Sequence, residues 1–250
     1  MAKVKVPYDN YLQRLIQFQD YLSHISVDCV IFGFNGKKLK VLLLKYNDSN
    51  LYSLPGGFVI NDEDLRDAAA RVLFERTQLG NIFLDQFHTF GRNNRIEKSA
   101  HKLLLKNKNI EIPEDHWILQ RFISVAYCSL LDYSKLKIND LDYSSKWFDI
   151  DNLPELVFDH QRIFEKGLIH LRENIDTNIV ANNLLPKKFT MKELQILYET
   201  VLGVEFRRNN FPRKILGLNI VKREIDYNEE YPEKMPYYYS FIKGMESIEF

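Results

Sequence analysis

The segment that most constrains this chain runs from Leu54 to Leu79. Leu54-Pro55-Gly56-Gly57-Phe58-Val59 is followed by a short polar turn and then a long amphipathic run. Paired glycines after a proline mark a tight backbone path, because glycine enters φ regions closed to other residues. Beyond them, Asp62 to Thr77 reads as one helix with Leu65, Ala69, Val72 and Leu73 directed inward. Charged residues recur along this stretch in a fixed frame. Glu63 follows Gly57 after five intervening residues, Arg71 follows after seven more, and Glu75 lies one helical turn on. Positions spaced i, i+3 and i+4 share a helix face, and here one such face reads Val72, Glu75 and Arg76. A single carboxylate stands there beside an apolar side chain and a guanidinium that stays protonated at any ordinary pH.

A length of 250 residues allows two small domains or one larger one. The 45% hydrophobic and 27% charged residues are ordinary for a soluble globular chain. No apolar run reaches the length of a membrane span, and Lys3 and Lys5 are not followed by the apolar stretch of a signal peptide. Cys29 and Cys128 both lie in apolar, strand-like runs, which suits reduced core thiols and a cytoplasmic location. The formal net charge of +0 neither favours nor excludes a nucleic-acid partner.

Periodicity predicts a mixed α/β sandwich. A leader helix, Tyr8 to Tyr21, precedes a buried strand, Ser26 to Phe34, and its hairpin partner, Leu39 to Tyr46, across Asn35-Gly36. Strands are expected at Phe83 to Phe90, Phe122 to Leu131 and Lys146 to Ile150, and a helix at Asp159 to Glu173, with His160 at its start either lining a pocket or, the commoner role, sharing the N-cap with Asp159. Between them, Arg92 to Gln120 is polar and basic, and reads as an inserted loop or hairpin on the periphery. The expected divisions are a leader over 1–25, a sandwich domain over 26–176 with the insert at 92–120, and a second domain over 177–250.

The second domain has a different grammar. Thr190 with Glu193 makes a capping box for a helix from Met191 to Leu202, which Gly203 stops. A second helix follows over Phe206 to Leu218, then two strands, Ile220 to Ile225 and Pro236 to Phe241. Helix, turn, basic helix and hairpin is the element order of a winged helix-turn-helix. From Lys187 to Arg223 there are nine Lys or Arg against three acidic residues, so this stretch is electropositive although the chain is neutral. Arg pairs bidentately with guanine and Asn with adenine, while either cation neutralises phosphate. The candidate DNA contacts are therefore Arg207, Arg208, Asn209, Asn210, Arg213 and Lys214, with Lys187 and Lys188 at the entry. Glu224, Asp226, Glu229, Glu230 and Glu233 make the wing acidic, and Tyr237 to Tyr239 reads as wing packing.

The Gly57 to Leu79 frame resembles the Nudix box: Gly, five residues, Glu, seven residues, then Arg-Glu-apolar-x-Glu-Glu-x-Gly-apolar. It matches at Gly57, Glu63, Arg71, Leu73, Glu75 and Leu79, and departs at Val72, Arg76 and Gln78, where the pattern has Glu, Glu and Gly. Nudix hydrolases hold Mg²⁺ through carboxylates of this box, and a hard cation wants several oxygen ligands. The resemblance therefore implies the fold without the metal chemistry: no catalytic residue and no cofactor. The two domains together resemble the Nudix-related transcriptional regulators of bacteria, which join a Nudix-like sensor to a C-terminal winged helix. That group includes repressors of NAD metabolism and regulators answering to arabinose and related sugars. Asp28 to Phe34, Ser53 to Val59, Leu156-Val157-Phe158-Asp159-His160, Asn183 to Thr190 and Arg208 to Lys214 carry the likeness.

What the resemblance implies is a homodimeric, ligand-responsive regulator with a double-stranded DNA operator and no membrane. Its effector would be a sugar or an ADP-ribose-like nucleotide-sugar, held near Gly56, Gly57, Glu63, Arg71, Glu75 and Arg76. The competing expectation is a divergent Nudix hydrolase of a nucleoside diphosphate derivative, using Glu63, Glu75 and Mg²⁺ with carboxylates from outside the box.

Overall fold

The computed structural model describes residues 21–46, 50–95, 105, 112–114, 116–133, 143–176, 184–207, 209–224 and 237–242. The expected leader helix lies outside them except for Tyr21, which, with the rest of the expected leader segment from 22 to 25, belongs to a strand. The chain divides into two compact units. One comprises Met1–Phe32, Lys40–Ser129 and Leu136–Leu168; the other comprises Gly33–Leu39, Leu130–Lys135 and Ile169–Phe250.

The larger sheet is built on β1 (Tyr21–Phe34), β2 (Leu39–Tyr46), β3 (Tyr52–Ser53), β4 (Gly56–Ile60), β5 (Asp85–Phe90), β6 (Ile123–Asp132) and β7 (Tyr143–Asp149). Its order is β3-β2-β1-β6-β5, with β4 paired to β1 and β7 paired to β2. Strand β1 starts at Tyr21, earlier than its apolar run suggests, because its first half pairs with β4, Tyr21 opposite Ile60 and Asp28 opposite Gly56. The apolar run is continuous from Cys29 to Phe32 because both faces are covered. Cys29 Sγ approaches Ala69 O on helix α1 (Leu65–Thr77) at 3.8 Å. Phe32 meets Phe164 on helix α2 (His160–Glu173), their ring centroids 6.0 Å apart.

Helix α1 buries Ala68, Ala69, Val72, Leu73 and Thr77, whereas Leu65 is exposed at its first turn. It starts three residues later than the sequence pattern suggests. Asp64 is the N-cap, with extended backbone, so Glu63 sits in the preceding turn, where it accepts a hydrogen bond from Ile60 N–H at 2.7 Å. The expectation of a peripheral insert is corrected. Leu105, Ile118 and Leu119 are buried with Leu44 and Phe122, and Ile112 and Trp117 pack against them. Burial stabilises by about 1.5–3 kcal/mol for each fully buried apolar side chain, and among the described residues of this stretch it is these that reach the core.

The smaller sheet has the order β8-β10-β9, from β8 (Phe189–Thr190), β9 (Val221–Glu224) and β10 (Tyr238–Phe241). Between β8 and β9 lie α3 (Met191–Leu202) and α4 (Asn210–Gly217). The capping box forms as expected. Thr190 Oγ1 accepts from Glu193 N–H at 3.2 Å, and Glu193 Oε2 accepts from Thr190 N–H at 2.7 Å. Gly203 ends α3 in the left-handed region at φ 70. Helix α4 is shorter than expected. Pro212 lacks an N–H and is tolerated only in a first turn, so the helix begins at Asn210. Arg207 and Asn209 consequently sit on the turn before the helix, and Arg208 lies outside the described residues.

Candidate functional site

In the larger unit, Arg71 is the hub of the glycine-glutamate frame. Its Nε donates to Glu63 Oε2 at 2.8 Å, Nη1 to Glu75 Oε2 at 3.1 Å and Nη2 to Phe58 O at 2.8 Å; Nη2 also reaches Glu63 Oε1. Burial opposes ionisation of Glu63. The hydrogen bonds from Arg71 and Ile60 N–H, with the Arg71 charge, outweigh that and hold its carboxyl below the usual range. Both oxygens of Glu63 and one of Glu75 are thus committed to the arginine and the loop.

The face of Val72, Glu75 and Arg76 does not hold together as expected. Val72 is 1% exposed and belongs to the core, while Glu75 and Arg76 are part-exposed. Arg76 Nε points at Gly56 O, 3.4 Å away. These residues do not fit a divalent cation: one position is a packed valine, one a guanidinium, and the remaining carboxylates already neutralise Arg71. Among the predicted effector residues, Glu63, Arg71 and Glu75 form one ion-paired cluster, and Gly56 and Arg76 meet beside it.

A second polar cluster in this unit escaped the sequence pattern. Asp28, 5% exposed, accepts a hydrogen bond from Ser124 Oγ. It faces His160 Nε2 at 3.6 Å and Arg95 Nη2 at 3.8 Å. Arg95 clamps Asp159 through Nε at 3.0 Å and Nη2 at 2.9 Å, and donates from Nη1 to Phe122 O at 3.1 Å. His160 Nδ1 accepts from Leu54 N–H at 2.9 Å. His160 is therefore a buried acceptor, not a helix cap. The only hint in the sequence was its place in the Leu156 to His160 run, because the partners lie up to 132 positions away from it, at Asp28.

The buried thiols match their expected role. Burial, then the charge of Asp28, raise the Cys29 thiol far above its ordinary value; burial and Asp85 push Cys128 up to about 12. Neither is a nucleophile at neutral pH.

In the smaller unit, Phe211 and Ile215 are the buried face of α4, and the Phe211 ring centroid lies 5.4 Å from that of Tyr198 on α3. Anchoring that face leaves Asn210, Arg213 and Lys214 exposed. Arg207, Asn209, Lys187 and Lys188 are exposed on the adjoining turns. Lys214 Nζ rests 5.8 Å from the Phe206 ring centroid. The wing adds Arg223, stacked on the exposed Tyr237 with its guanidinium carbon 3.2 Å from the ring centroid. Lys222 is paired with Glu224 at 3.4 Å. Tyr239 is packed as expected, whereas Tyr237 carries a cation at the surface.

Comparison with known proteins decides the family. The NUDIX domain model matches residues 22–166, more than half of the chain. The chain belongs to the Nudix family. Residues 181–241 of this Nudix protein match the NrtR DNA-binding winged helix domain. The resemblance to Nudix-related transcriptional regulators thus holds over both domains. Among curated relatives, the ADPR responsive transcriptional repressor NtrR of Acinetobacter baylyi is 25% identical over 88% of this chain and 84% of its own. The ADP-ribose pyrophosphatase of Methanocaldococcus jannaschii is 26% identical over 62% of this chain and 83% of its own. The crystal structure of Shewanella oneidensis NrtR has the same fold, with a TM-score of 0.60 and 22% identity, covering 89% of this chain and 96% of that one. No helix among the described residues is long and apolar enough to cross a membrane.

Proposed function

We propose that this Nudix protein is a ligand-responsive transcriptional repressor that binds its effector without cleaving it. The observation carrying the reading is the state of the box: Arg71 consumes the surviving carboxylates, and Arg76 stands at Gly56 where an acidic ligand would be needed for metal. A guanidinium beside two glycines suits a diphosphate, since arginine binds phosphate through a planar fork. An ADP-ribose-like nucleotide-sugar is therefore favoured over a plain sugar, and the printed name of the Acinetobacter relative points the same way. Gly56, Gly57 and Arg76 would touch the ligand; Glu63, Arg71 and Glu75 would hold them in place.

The winged helix would engage an operator with Asn210, Arg213 and Lys214 in the major groove and Arg207, Asn209, Lys187 and Lys188 at the backbone. Two copies on a palindromic site would make the functional unit a homodimer. Effector control requires that ADP-ribose prefer one arrangement of the two domains over the other. Fluorescence anisotropy on the upstream region of the protein's own operon, with ADP-ribose or arabinose added, tests the scheme. The expected result is salt-sensitive, sequence-dependent binding that ADP-ribose alters. Absence of any such binding would refute it.

A second reading, hydrolysis, draws on the retained Glu63 and Glu75 and on the pyrophosphatase relative. Mg²⁺-dependent release of AMP from ADP-ribose, lost in Glu75→Gln, would establish it in place of the first.

A further inference from the structure

The turn Leu54–Gly57, which delivers Gly56 and Gly57 to the box, is strapped from three sides. Leu54 is 1% exposed, and a buried N–H must find an acceptor; His160 Nδ1 supplies it at 2.9 Å. Pro55 O accepts from Cys29 N–H at 2.8 Å. A Cβ at Gly56 would collide with Asp28 Oδ1, so the turn is pressed directly against that carboxylate. From outside, Arg76 Nε reaches Gly56 O at 3.4 Å.

We propose that His160 is a positioning residue for effector recognition, a latch that fixes the Leu54–Gly57 turn and thereby the Gly56 carbonyl, the Gly57 backbone and Arg76. The inference rests on the reading that the effector diphosphate is received at this turn. The imidazole does what few side chains can. As a neutral ring it accepts at Nδ1 from Leu54 and presents an Nε2–H toward Asp28. The groups facing it are Asp28 from β1, Arg95 from the segment after β5, and Asp159, the residue before its own helix. Burial disfavours the cation, Asp28 and Asp159 oppose that, and Arg95 reinforces it, leaving the ring below its ordinary value and neutral at physiological pH. Protonation would set an Nδ1–H against Leu54 N–H, two donors with no acceptor, and release the turn.

The full-length protein carrying His160→Ala or His160→Asn separates latch from scaffold. Asparagine branches at Cγ as histidine does, so its Oδ1 falls near the place of Nδ1, accepts from Leu54 N–H and does not titrate. Calorimetric titration with ADP-ribose should show His160→Ala weakened by about tenfold or more, the loss of one buried hydrogen bond at the binding turn. His160→Asn should stay within about threefold of the native protein on the same scale. As pH is lowered from 7.5 to well below the ordinary histidine value, the native protein should lose affinity where His160 finally protonates, and His160→Asn should show no such loss. Amide exchange of the Leu54–Gly57 peptide, read by mass spectrometry without ligand, should rise in His160→Ala and remain low in His160→Asn. Equal affinity and equal exchange in native and Ala proteins would overturn the latch, as would Ala and Asn variants impaired alike. If the native protein fails to bind ADP-ribose at all, the effector assignment falls, and the exchange experiment alone still decides the latch.

Discussion

Arginine plays opposite parts in the two units. In the box helix, Arg71 is turned inward and spent on two carboxylates and a carbonyl. In the winged helix, Arg213 and Lys214 stand in solvent while Phe211 and Ile215 hold the helix from behind. The same charge therefore stabilises one unit and is offered to a partner by the other, and burial, not residue type, makes the difference. Exposed cations contribute little to folding but release counterions when they meet phosphate.

That contrast can be broken at its stronger end. Arg71→Ala leaves Glu63 largely enclosed and unpaired, and should cost about 3 kcal/mol of stability, measured by urea denaturation. If it costs less than about 1 kcal/mol, the cluster is only a surface pair. Arg213→Ala with Lys214→Ala should do the reverse. Operator affinity should fall roughly 10- to 100-fold, with the salt slope reduced by about 2, while unfolding shifts by no more than about 0.5 kcal/mol. Thr190→Ala sharpens the comparison inside the smaller unit, where it removes half of the capping box and should cost about 1 kcal/mol without touching the cations. The smallest effect concerns acid. Glu63 ionises more readily folded than unfolded, so its contribution is complete above the ordinary glutamate value of about 4.3 and is lost as pH falls through its lower folded value. Replacing Glu63 with Gln should flatten the acid limb of a stability-versus-pH curve.

How much could be read beforehand differs between the units in the same way. The capping box, the Gly203 stop and the inward row Leu194, Leu197, Tyr198 and Val201 were legible because each depends on neighbours within one or two turns. The box frame was legible for the same reason. The start of α4 was misread by treating Arg207 as helical, although Pro212 fixes the first turn. The insert was misread because its basic residues masked the spacing of Leu105, Ile112, Trp117, Ile118 and Leu119. The Asp28, Arg95, Ser124, Asp159 and His160 cluster left no periodic trace, since it is assembled from four separate elements and exists only in three dimensions.

One detail of the box helix reaches further. Gln78 closes α1 with φ 60, in the left-handed region, at the position where the Nudix pattern has glycine. A side chain is strained there by about 1 kcal/mol, so Gln78→Gly should raise the melting temperature even though it forfeits the Gln78 Nε2 bond to Phe74 O. The backbone at Gln78 takes the left-handed path that the glycine of the Nudix pattern would take without strain. The end of this single helix therefore holds a standing tension that one substitution should relieve.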